Sequence, residues 1–441
     1  MTKSIVFSRE IPVRHEVDVF VAGGGPGGIA AALTAARQGK SVFLAEGHTC
    51  FGGMGTAGMV PVFMTFGDGV NFLAEGIGRE VLDALTAEKG ADSPLSANSI
   101  PAECLKRVYD RLLGESGIEM SLMTQMVDVV AKDGRVEQAI CHAKTGFFAV
   151  SAKMFVDGTG DGDLAALAGA PFEKADEDGN MMPGTLTSLW ADVDWDAYRS
   201  SGVKVHDVLF KAFEDGHFTV NDPHHPGMWR VGNHLTGGNI GHAFGLDSTD
   251  ERSLTEHFIT ARSRIPEFES FYRKYVPGFE NLELVATCSL FGVRESRRIM
   301  GDYVLDVDDF KARAVFEDEI GRYCYPVDIH PSKPDPKAYA KFEAEFRRDL
   351  RYGRGESYGI PYRILTPQKL ENVLVTGRCV SSDRQIQGSV RVMPGCYITG
   401  QAAGMAASIA IEQHTDTRGF AVDELLTRLQ GMGAYLPNFA G

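Results

Sequence analysis

Residues 17–46 read VDVFVAGGGPGGIAAALTAARQGKSVFLAE, and this stretch decides the fold of the 441-residue chain. A short apolar run is followed by a glycine-rich turn, then by a stretch of helix formers, and then by a second apolar run that ends in Glu46. A strand, a glycine turn, a helix and a strand in this order form a βαβ unit, which begins a parallel sheet. We therefore predict an α/β fold built on a Rossmann-like parallel sheet.

The glycines of this turn satisfy the pattern G-x-G-x-x-G and predict a dinucleotide site. Gly23 permits the tight turn, Gly25 lets the backbone approach a pyrophosphate, and Gly28 lets the helix pack closely on the sheet. The helix amino terminus adds N–H donors, and Glu46 is placed to accept hydrogen bonds from ribose hydroxyls, which disfavours NADP. The predicted contacts here are Gly23, Gly25, Pro26, Gly27, Gly28 and Glu46.

Composition and charge exclude several classes of function. The net charge is −15, so there is no basic excess for binding nucleic acid or for docking on an anionic membrane. The 7 cysteines are scattered and form no C-x-x-C pair, which argues against zinc, iron–sulfur and two-cysteine redox sites and indicates a reducing compartment. The amino terminus has no signal-peptide pattern and no apolar run is long enough to span a membrane, so we expect a cytoplasmic protein.

Patterns along the rest of the chain predict a discontinuous arrangement. Residues 100–116 have the periodicity of an amphipathic helix, and residues 118–156 alternate like a β-meander that leads back into the sheet. Residues 371–377 indicate another buried strand, 400–412 an apolar helix, and 423–436 a terminal helix capped by Asp423. We predict an FAD-binding domain from residues 1–170 and 365–441, with an α+β substrate domain, 171–364, inserted between its parts.

Several further glycine-rich segments favour FAD over NAD. They are CFGGMGT (50–56), DGTGDGD (157–163), Gly377-Arg378, and GQAAG (400–404). The presence of glycine-rich segments so far apart in sequence has one simple explanation, which is that all of them contact one extended cofactor.

With these segments, the chain resembles the FAD-dependent oxidoreductase family among the flavoproteins with two dinucleotide-binding domains, relatives of the fumarate reductase and glutathione reductase types. The resemblance extends over residues 22–46, over MFVDGTGDGDLAALAGA (154–170) and LFGVRESRRIMGDYVL (290–305), and over GSVRVMPGCYITGQAAGMAAS (388–408). It implies bound FAD, and it implies that a helix whose first turn is Gly400–Ala402 points at the flavin pyrimidine. The further FAD contacts that it implies are Gly52, Gly53, Met54, Val127, Gly160, Asp161, Gly377, Arg378, Val392, Met393, Gly400, Gln401 and Ala402. Related flavoproteins use a His or Cys in the loop after the second strand for covalent attachment, which leaves His48 and Cys50 open as attachment points.

An arginine cluster is the first candidate for substrate chemistry. Arg294, Arg297 and Arg298 follow the apolar LFGV segment, which we interpret as a strand. A helix beginning at Gly292 would put Arg294 and Arg298 on one face, where they could clamp a carboxylate or donate a proton. The alternative is that these arginines form ion pairs with neighbouring acids.

A carboxylate–imidazole pair is the second candidate. Asp328 and His330 are two residues apart in YPVDIH, where an extended backbone would place both on one side as an orienting group and a base. Additional candidates, none of them part of a metal-binding motif, are Tyr325, Tyr362, His224, His225, His234 and His242. We predict no metal site.

Together these features predict an FAD-dependent oxidoreductase that exchanges a hydride between flavin N5 and a small polar substrate bearing a carboxylate or hydroxyl group. The predicted partners are this small molecule and an electron acceptor, which could be O2, a quinone or a protein. Two alternatives stay open: a flavin monooxygenase that consumes NAD(P)H and O2, and an electron-transfer flavoprotein that acts with a partner.

Overall fold

A computed structural model describes the chain over residues 4–225 and 227–440, in which strands and helices alternate along the sequence. The strands are β1 (Val13–Ala22), β2 (Val42–Ala45), β3 (Glu119–Ser121), β4 (Gln125–Lys132), β5 (Arg135–Ala143), β6 (Gly146–Asp157), β7 (Phe172–Glu173), β8 (Ser188–Ala191), β9 (Gly227–Arg230), β10 (Leu235–Asn239), β11 (Glu283–Thr287), β12 (Arg298–Ile299), β13 (Glu319–Tyr323), β14 (Tyr358–Pro361) and β15 (Val373–Val375). The helices are α1 (Pro26–Arg37), α2 (Ile77–Lys89), α3 (Ala102–Gly114), α4 (Asp163–Leu167), α5 (Trp195–Ser201), α6 (Val205–Glu214), α7 (Glu251–Tyr275), α8 (Val307–Ala312), α9 (Pro336–Ala344), α10 (Arg384–Val390), α11 (Met393–Glu412) and α12 (Val422–Gly431).

The main sheet has the strand order β3-β2-β1-β6-β5-β4, with β15 pairing with β6. Strand β1 runs parallel to β2 and to β6, and β15 runs parallel to β6, while β4, β5 and β6 form the antiparallel meander. Ala22 pairs with both Ala45 and Asp157, and Val375 also pairs with Asp157. The residues that follow these strands therefore meet at one edge, which is where ligands bind in open α/β sheets. The predicted Rossmann-like sheet and meander are confirmed.

Helix α11 packs along α1 through glycine contacts. A Cβ atom at Gly400 would lie 2.2 Å from the carbonyl oxygen of Gly27, and one at Gly404 would lie 2.3 Å from that of Ala31. These glycines permit close approach of the two helices. The helix begins at Met393, where Pro394 fits the first turn, and not at Gly400 as predicted. Gly400, Gln401 and Ala402 therefore lie in its interior and do not form its first turn.

The apolar side chains form two cores. The first surrounds the main sheet, and the second fills the space between α7 and an antiparallel sheet of order β11-β8-β10-β9. The second core includes residues from Leu186 to Val293, whereas buried side chains from Ile299 to Ile364 belong to the first. We therefore propose that the inserted unit is shorter than the predicted 171–364 and corresponds to the segment that builds the second core.

Three local predictions are wrong. Residues 290–297 form neither the LFGV strand nor a helix, because Gly292 exchanges two backbone hydrogen bonds with Thr185 (2.9 and 3.0 Å) and the chain continues irregularly from there. The YPVDIH segment is irregular and not a strand. Helix α12 begins one residue before Asp423, with Ala421 at its cap position.

A helix that crosses a membrane must be both long and apolar. In the part of the chain that the structure describes, no helix has both the length and the apolar character of a membrane span.

Candidate functional site

A cavity of about 560 Å³ lies at the edge where β1, β2, β6 and β15 end. It runs from the glycine turn after β1 to Arg391 and to Phe291 of the inserted segment. The predicted FAD contacts that line it are Gly23, Gly25, Pro26, Gly27, Glu46, Gly53, Met54, Gly160, Asp161, Gly377, Arg378 and Met393. One cavity therefore joins glycine segments that are more than 300 residues apart in sequence.

The turn before α1 has the geometry of a phosphate cradle. No side chain caps α1, whose first turn begins after Gly25, so its amino-terminal N–H groups are left for another acceptor. A Cβ atom at Gly25 would find no atom nearer than 3.9 Å and would project into open space. Gly23 has φ +88°, and a Cβ atom there would lie 2.6 Å from the carbonyl oxygen of Gly158. The turn thus brings bare backbone to the cavity, as a dinucleotide pyrophosphate requires.

Glu46 stands at the other side of this turn. One of its carboxylate oxygens accepts the Gly24 backbone N–H at 2.7 Å, and the other accepts that of His48 at 2.8 Å. Each oxygen keeps a lone pair, so the carboxylate can also accept ribose hydroxyls. His48 lines the cavity, whereas Cys50 is buried outside it.

Two further features line the cavity beside the cradle. Arg378 donates to the Asp161 carboxylate at 2.6 Å, and Ser248 of the inserted segment donates to the same oxygen at 3.0 Å. Helix α11 begins here without a side-chain cap, and Met393 and Cys396 face the cavity. Its amino terminus, the positive end of the helix dipole, is thus directed at the cavity, as the resemblance implies, although by other residues than Gly400–Ala402.

Several residues predicted to contact FAD do not line the cavity: Gly28, Gly52, Val127, Val392, Gly400, Gln401 and Ala402. A Cβ atom at Gly28 would lie 1.9 Å from the Gly23 carbonyl oxygen, so this glycine serves helix–sheet packing. Gly52 has φ +109° and little space beside Thr56. Val127 is 39% exposed, because strand alternation turns its neighbour Met126 to the cavity instead.

The arginine cluster is divided between ion pairs and one unpaired cation. Arg298 pairs with Glu295 at 3.2 Å and Arg297 with Asp163 at 2.7 Å, so both follow the ion-pairing alternative. Arg294 is buried, and its acceptors among the described residues are all neutral oxygens, those of Pro183 (2.8 Å), Thr185 (2.9 Å) and Asn239 (3.3 Å).

Arg294 therefore forms no direct ion pair with the described residues, although the charges of Asp328 and Asp222 act on it from a longer distance. Among the described residues, no carboxylate oxygen lies within 4.0 Å of its guanidinium. Burial, and next the charge of Arg391, lower the pKa of Arg294 to about 10, so it is still a cation at neutral pH. A buried cation of this kind is costly unless an anionic ligand accompanies it.

Asp328 connects the buried groups to the cavity. Its carboxylate lies 3.2 Å from Nε2 of His330, 3.2 Å from Nη2 of Arg391 and 3.3 Å from the hydroxyl of Tyr325. Of these four residues, Arg391 lines the cavity. Arg391 was not predicted as a site residue, because a single arginine belongs to no recognisable sequence motif.

The structure brings Asp328 and His330 together, as predicted. It also gives the second ring nitrogen of His330 a hydrogen-bond partner. Nδ1 of His330 lies 2.9 Å from Nε2 of His242, and the other nitrogen of His242 lies 2.9 Å from the Asp222 carboxylate. Burial lowers the pKa of His330, with nearby positive charge of Arg294 as the next cause, and burial also lowers the pKa of His242. His330 therefore has no ring nitrogen free to contact a substrate.

The other candidates lie away from this group. His225 contacts the hydroxyl of Tyr272 at 2.6 Å inside the second core. Tyr362 donates to the carbonyl oxygen of Thr417, and His234 is exposed.

His225 predicts an acid-sensitive stability. Burial lowers its pKa to about 4, below the value near 6.5 of the unfolded chain, so below pH 6.5 the unfolded state binds a proton that the folded state does not. The free energy of unfolding should fall by about 2 kcal/mol at pH 5 from this residue. In urea unfolding at pH 7 and pH 5, we expect His225→Gln to lose less stability on acidification than the unchanged protein. His234→Gln is the control, and equal pH dependence in all three proteins would contradict the assignment.

Known proteins are similar to this chain in sequence and fold. The family described as FAD dependent oxidoreductase matches residues 18–429. A thiamine thiazole synthase from Methanococcus aeolicus is 32% identical over 189 residues, covering 40% of this chain and 66% of that protein, so the chain spans slightly less than two thirds of this relative's length. A geranylgeranyl bacteriochlorophyll reductase-like protein from Thermoplasma acidophilum is 13% identical, with a TM-score of 0.46 over 95% of this chain and 83% of that one. A p-nitrophenol 4-monooxygenase from Pseudomonas putida is 12% identical, with a TM-score of 0.45 over 94% and 84%.

Proposed function

The chain belongs to the FAD-dependent oxidoreductase family, and we propose that it exchanges a hydride between FAD and a small polar organic substrate that carries a carboxylate or another anionic oxygen group. The observation that carries this proposal is the single cavity that joins the glycine cradle to Arg391. Beside that end of the cavity lies Arg294, the buried cation without an acidic partner.

The residues around the cradle fit the dinucleotide. The turn at Gly23–Gly27 and the uncapped start of α1 would hold the pyrophosphate, and Glu46 would hold the adenosine ribose. Asp161 and Arg378 line the cavity beside the cradle, and the start of α11 would lie near the flavin. When bound, FAD supplies the centre that accepts or donates the hydride.

The arginines bind and orient the substrate. Arg391 reaches the cavity, and its Nη2 is held by both the backbone and side-chain oxygens of Asp328 at 3.2 Å. Arg294 adds a second positive charge, with which no carboxylate of the described residues forms a direct ion pair. An anionic substrate group at this end would be drawn to both guanidinium groups, because charge-assisted hydrogen bonds in a buried site are strong.

The pair Asp328 and His330 has other roles than those predicted from the sequence. Neither residue lines the cavity and both ring nitrogens of His330 are engaged, so we propose that Asp328 positions Arg391 at the cavity. His330 and Tyr325 then orient Asp328 and stabilise its charge. Arg298 has no role in this scheme, because Glu295 holds it.

An anaerobic donor screen tests the proposed reaction. The FAD-loaded protein is mixed with hydroxy acids, amino acids, uncharged alcohols and NAD(P)H, and flavin absorbance near 450 nm is followed. We expect bleaching by a donor that carries a carboxylate or similar anionic group, and slow or no bleaching by its uncharged amide or ester.

The same screen separates the alternatives. Rapid bleaching by NAD(P)H alone, followed by O2 consumption with substrate, would support a monooxygenase instead. Bleaching only by a reduced protein partner would support an electron-transfer flavoprotein. If an organic donor works, reoxidation by O2, by a quinone or by an acceptor protein then identifies the electron acceptor.

A further inference from the structure

A group of three histidines lies behind the substrate end of the cavity, although the sequence shows no metal motif. His224, His242 and His330 each place one ring nitrogen so that the three atoms lie within 4.8 Å of one another. They come from segments up to 106 residues apart, which is why no short spacing pattern reveals them. His242 and His330 are buried, and His224 is half-buried.

Carboxylates flank the outer nitrogens of two of the rings. Nδ1 of His242 lies 2.9 Å from the Asp222 carboxylate, and Nε2 of His330 lies 3.2 Å from the Asp328 carboxylate. When the proton of a neutral imidazole is on the nitrogen beside the carboxylate, the other nitrogen of that ring offers its lone pair.

The two remaining nitrogens face each other. Nε2 of His242 and Nδ1 of His330 are 2.9 Å apart, so in the metal-free protein they share one proton in a hydrogen bond. A metal ion bound beside both nitrogens would replace that proton. Two nitrogens that each bind a metal at about 2.1 Å are about 3.0 to 3.4 Å apart, so this pair needs only a small adjustment.

We propose that His224, His242 and His330 bind a divalent transition-metal ion, with Zn²⁺ as the best match. Three imidazoles with an open fourth position are a typical catalytic zinc set, whereas a non-haem iron site takes two histidines and a carboxylate. Here both nearby carboxylates contact the outer nitrogens of the histidines and are not ligands themselves.

The surroundings of the three histidines have the features of a metal shell. A carboxylate on the far nitrogen of a ligating histidine fixes the ring and raises its basicity, and two of the three have one. The other oxygen of Asp222 accepts the backbone N–H of His224 at 3.0 Å, so this one carboxylate orients two of the ligands. Phe342 packs against His224 and His330 with ring centroids 4.8 and 5.5 Å apart, which limits access of water.

Asp328 links this site to the cavity, since it contacts both His330 and Arg391. The fourth position of the metal would take water or an oxygen of the anionic substrate, which the nearby Arg294 and Arg391 would attract. That the substrate binds there rests on the proposed function, whereas metal binding itself does not.

Metal analysis of the FAD-loaded protein tests the proposal without any substrate. After dialysis against a chelator, the protein is titrated with Zn²⁺, and separately with Co²⁺, whose visible absorption reports nitrogen ligands in tetrahedral geometry. We expect one equivalent of either metal to bind and Zn²⁺ to raise Tm. Failure of the unchanged protein to bind one equivalent would overturn the proposal, with the shared-proton arrangement of His242 and His330 as the remaining explanation.

Variants then locate the site. His242→Asn and His330→Gln should weaken Zn²⁺ binding by more than ~100-fold, and Asp222→Asn by about 10- to 100-fold through the second shell. His234→Gln, which changes an exposed histidine outside the group, should bind Zn²⁺ normally. FAD content and the circular dichroism spectrum are recorded for each variant. Equal Zn²⁺ affinity in folded His242→Asn and in His234→Gln would place the metal elsewhere and contradict the assignment.

Discussion

The Gly25→Val protein is expected to fold normally and to be purified without FAD. Gly25 has φ −73° and ψ 179°, which valine adopts without strain. The nearest atom to an added Cβ is 3.9 Å away, so the Cβ itself meets no close contact and points into the cavity that Gly25 lines. It would occupy the space in which the cofactor pyrophosphate must approach the start of α1, and FAD affinity should fall at least ~100-fold.

Gly28→Ala is the informative comparison, because this glycine belongs to the same motif and has a different role. Its Cβ atom would lie 1.9 Å from the Gly23 carbonyl oxygen, so we expect a lower Tm and lower yield of folded protein. Gly114→Ala, at a helical glycine with no atom within 4 Å of the added Cβ, is the control for glycine replacement as such.

The measurements are the ratio of flavin to protein absorbance, FAD titration of the apoprotein, and thermal unfolding. Normal FAD affinity of Gly25→Val would show that the cofactor does not pass over this turn. The Tm values are compared between apoproteins, because loss of FAD by itself lowers Tm. A Tm loss in apo Gly25→Val as large as in apo Gly28→Ala would show that the space at Gly25 is filled by protein.

The Arg391→Gln protein is expected to keep FAD and to lose reduction by the substrate. Arg391 is the cation of the buried group that reaches the cavity, and glutamine keeps a hydrogen-bond donor, on a shorter side chain, without the charge. Losing one partner of a buried charged hydrogen bond costs about 2–5 kcal/mol, so kcat/KM for an anionic donor should fall by ~10² to 10³. The loss should be mainly in KM if Arg391 only binds the substrate, and also in kcat if it orients the substrate as well.

Stopped-flow reduction of the flavin with the donor found in the screen provides the test. Arg107→Gln, a replacement of an exposed arginine on α3 that pairs with Glu88, is the matched control and should react normally. An uncharged analogue of the donor should react equally slowly with the unchanged protein and with Arg391→Gln. If Arg391→Gln reduces at the normal rate with the anionic donor, the substrate group lies elsewhere in the cavity.

Local patterns predicted much of the fold. The run from Val17 to Glu46 has the alternation of β1, α1 and β2, and each boundary lies within a few residues of the prediction. Predictions beyond residue 290 were less accurate, because backbone pairing with Thr185 prevents the helix expected from Gly292. The start of α11 was placed seven residues late, since the glycine-rich segment Gly400–Gly404 was interpreted as the opening of the helix, whereas these glycines serve close helix packing in its interior.

The candidate site also has one part that local sequence patterns predict and another part that they do not. The cradle and Glu46 could be predicted because their roles depend on residues next to one another in the chain. Arg294 could not be distinguished from Arg297 and Arg298, because the difference lies in acids brought near them by folding. The three histidines have no spacing signal at all, and only the packing of the inserted segment against the YPVDIH segment brings them together.

The amino-acid sequence by itself determined the Rossmann-like sheet, the dinucleotide cradle and the membership in a flavoprotein family. Hydrophobic periodicity, glycine conformation and helix termini act over a few residues, and they can be recognised in one stretch of chain. The tertiary structure alone decided which arginine lacks an acid, which partner each histidine nitrogen faces, and which glycines face the cavity. Those properties depend on distances between remote segments and on burial, because charge and proton affinity respond to whatever the fold places within a few ångströms.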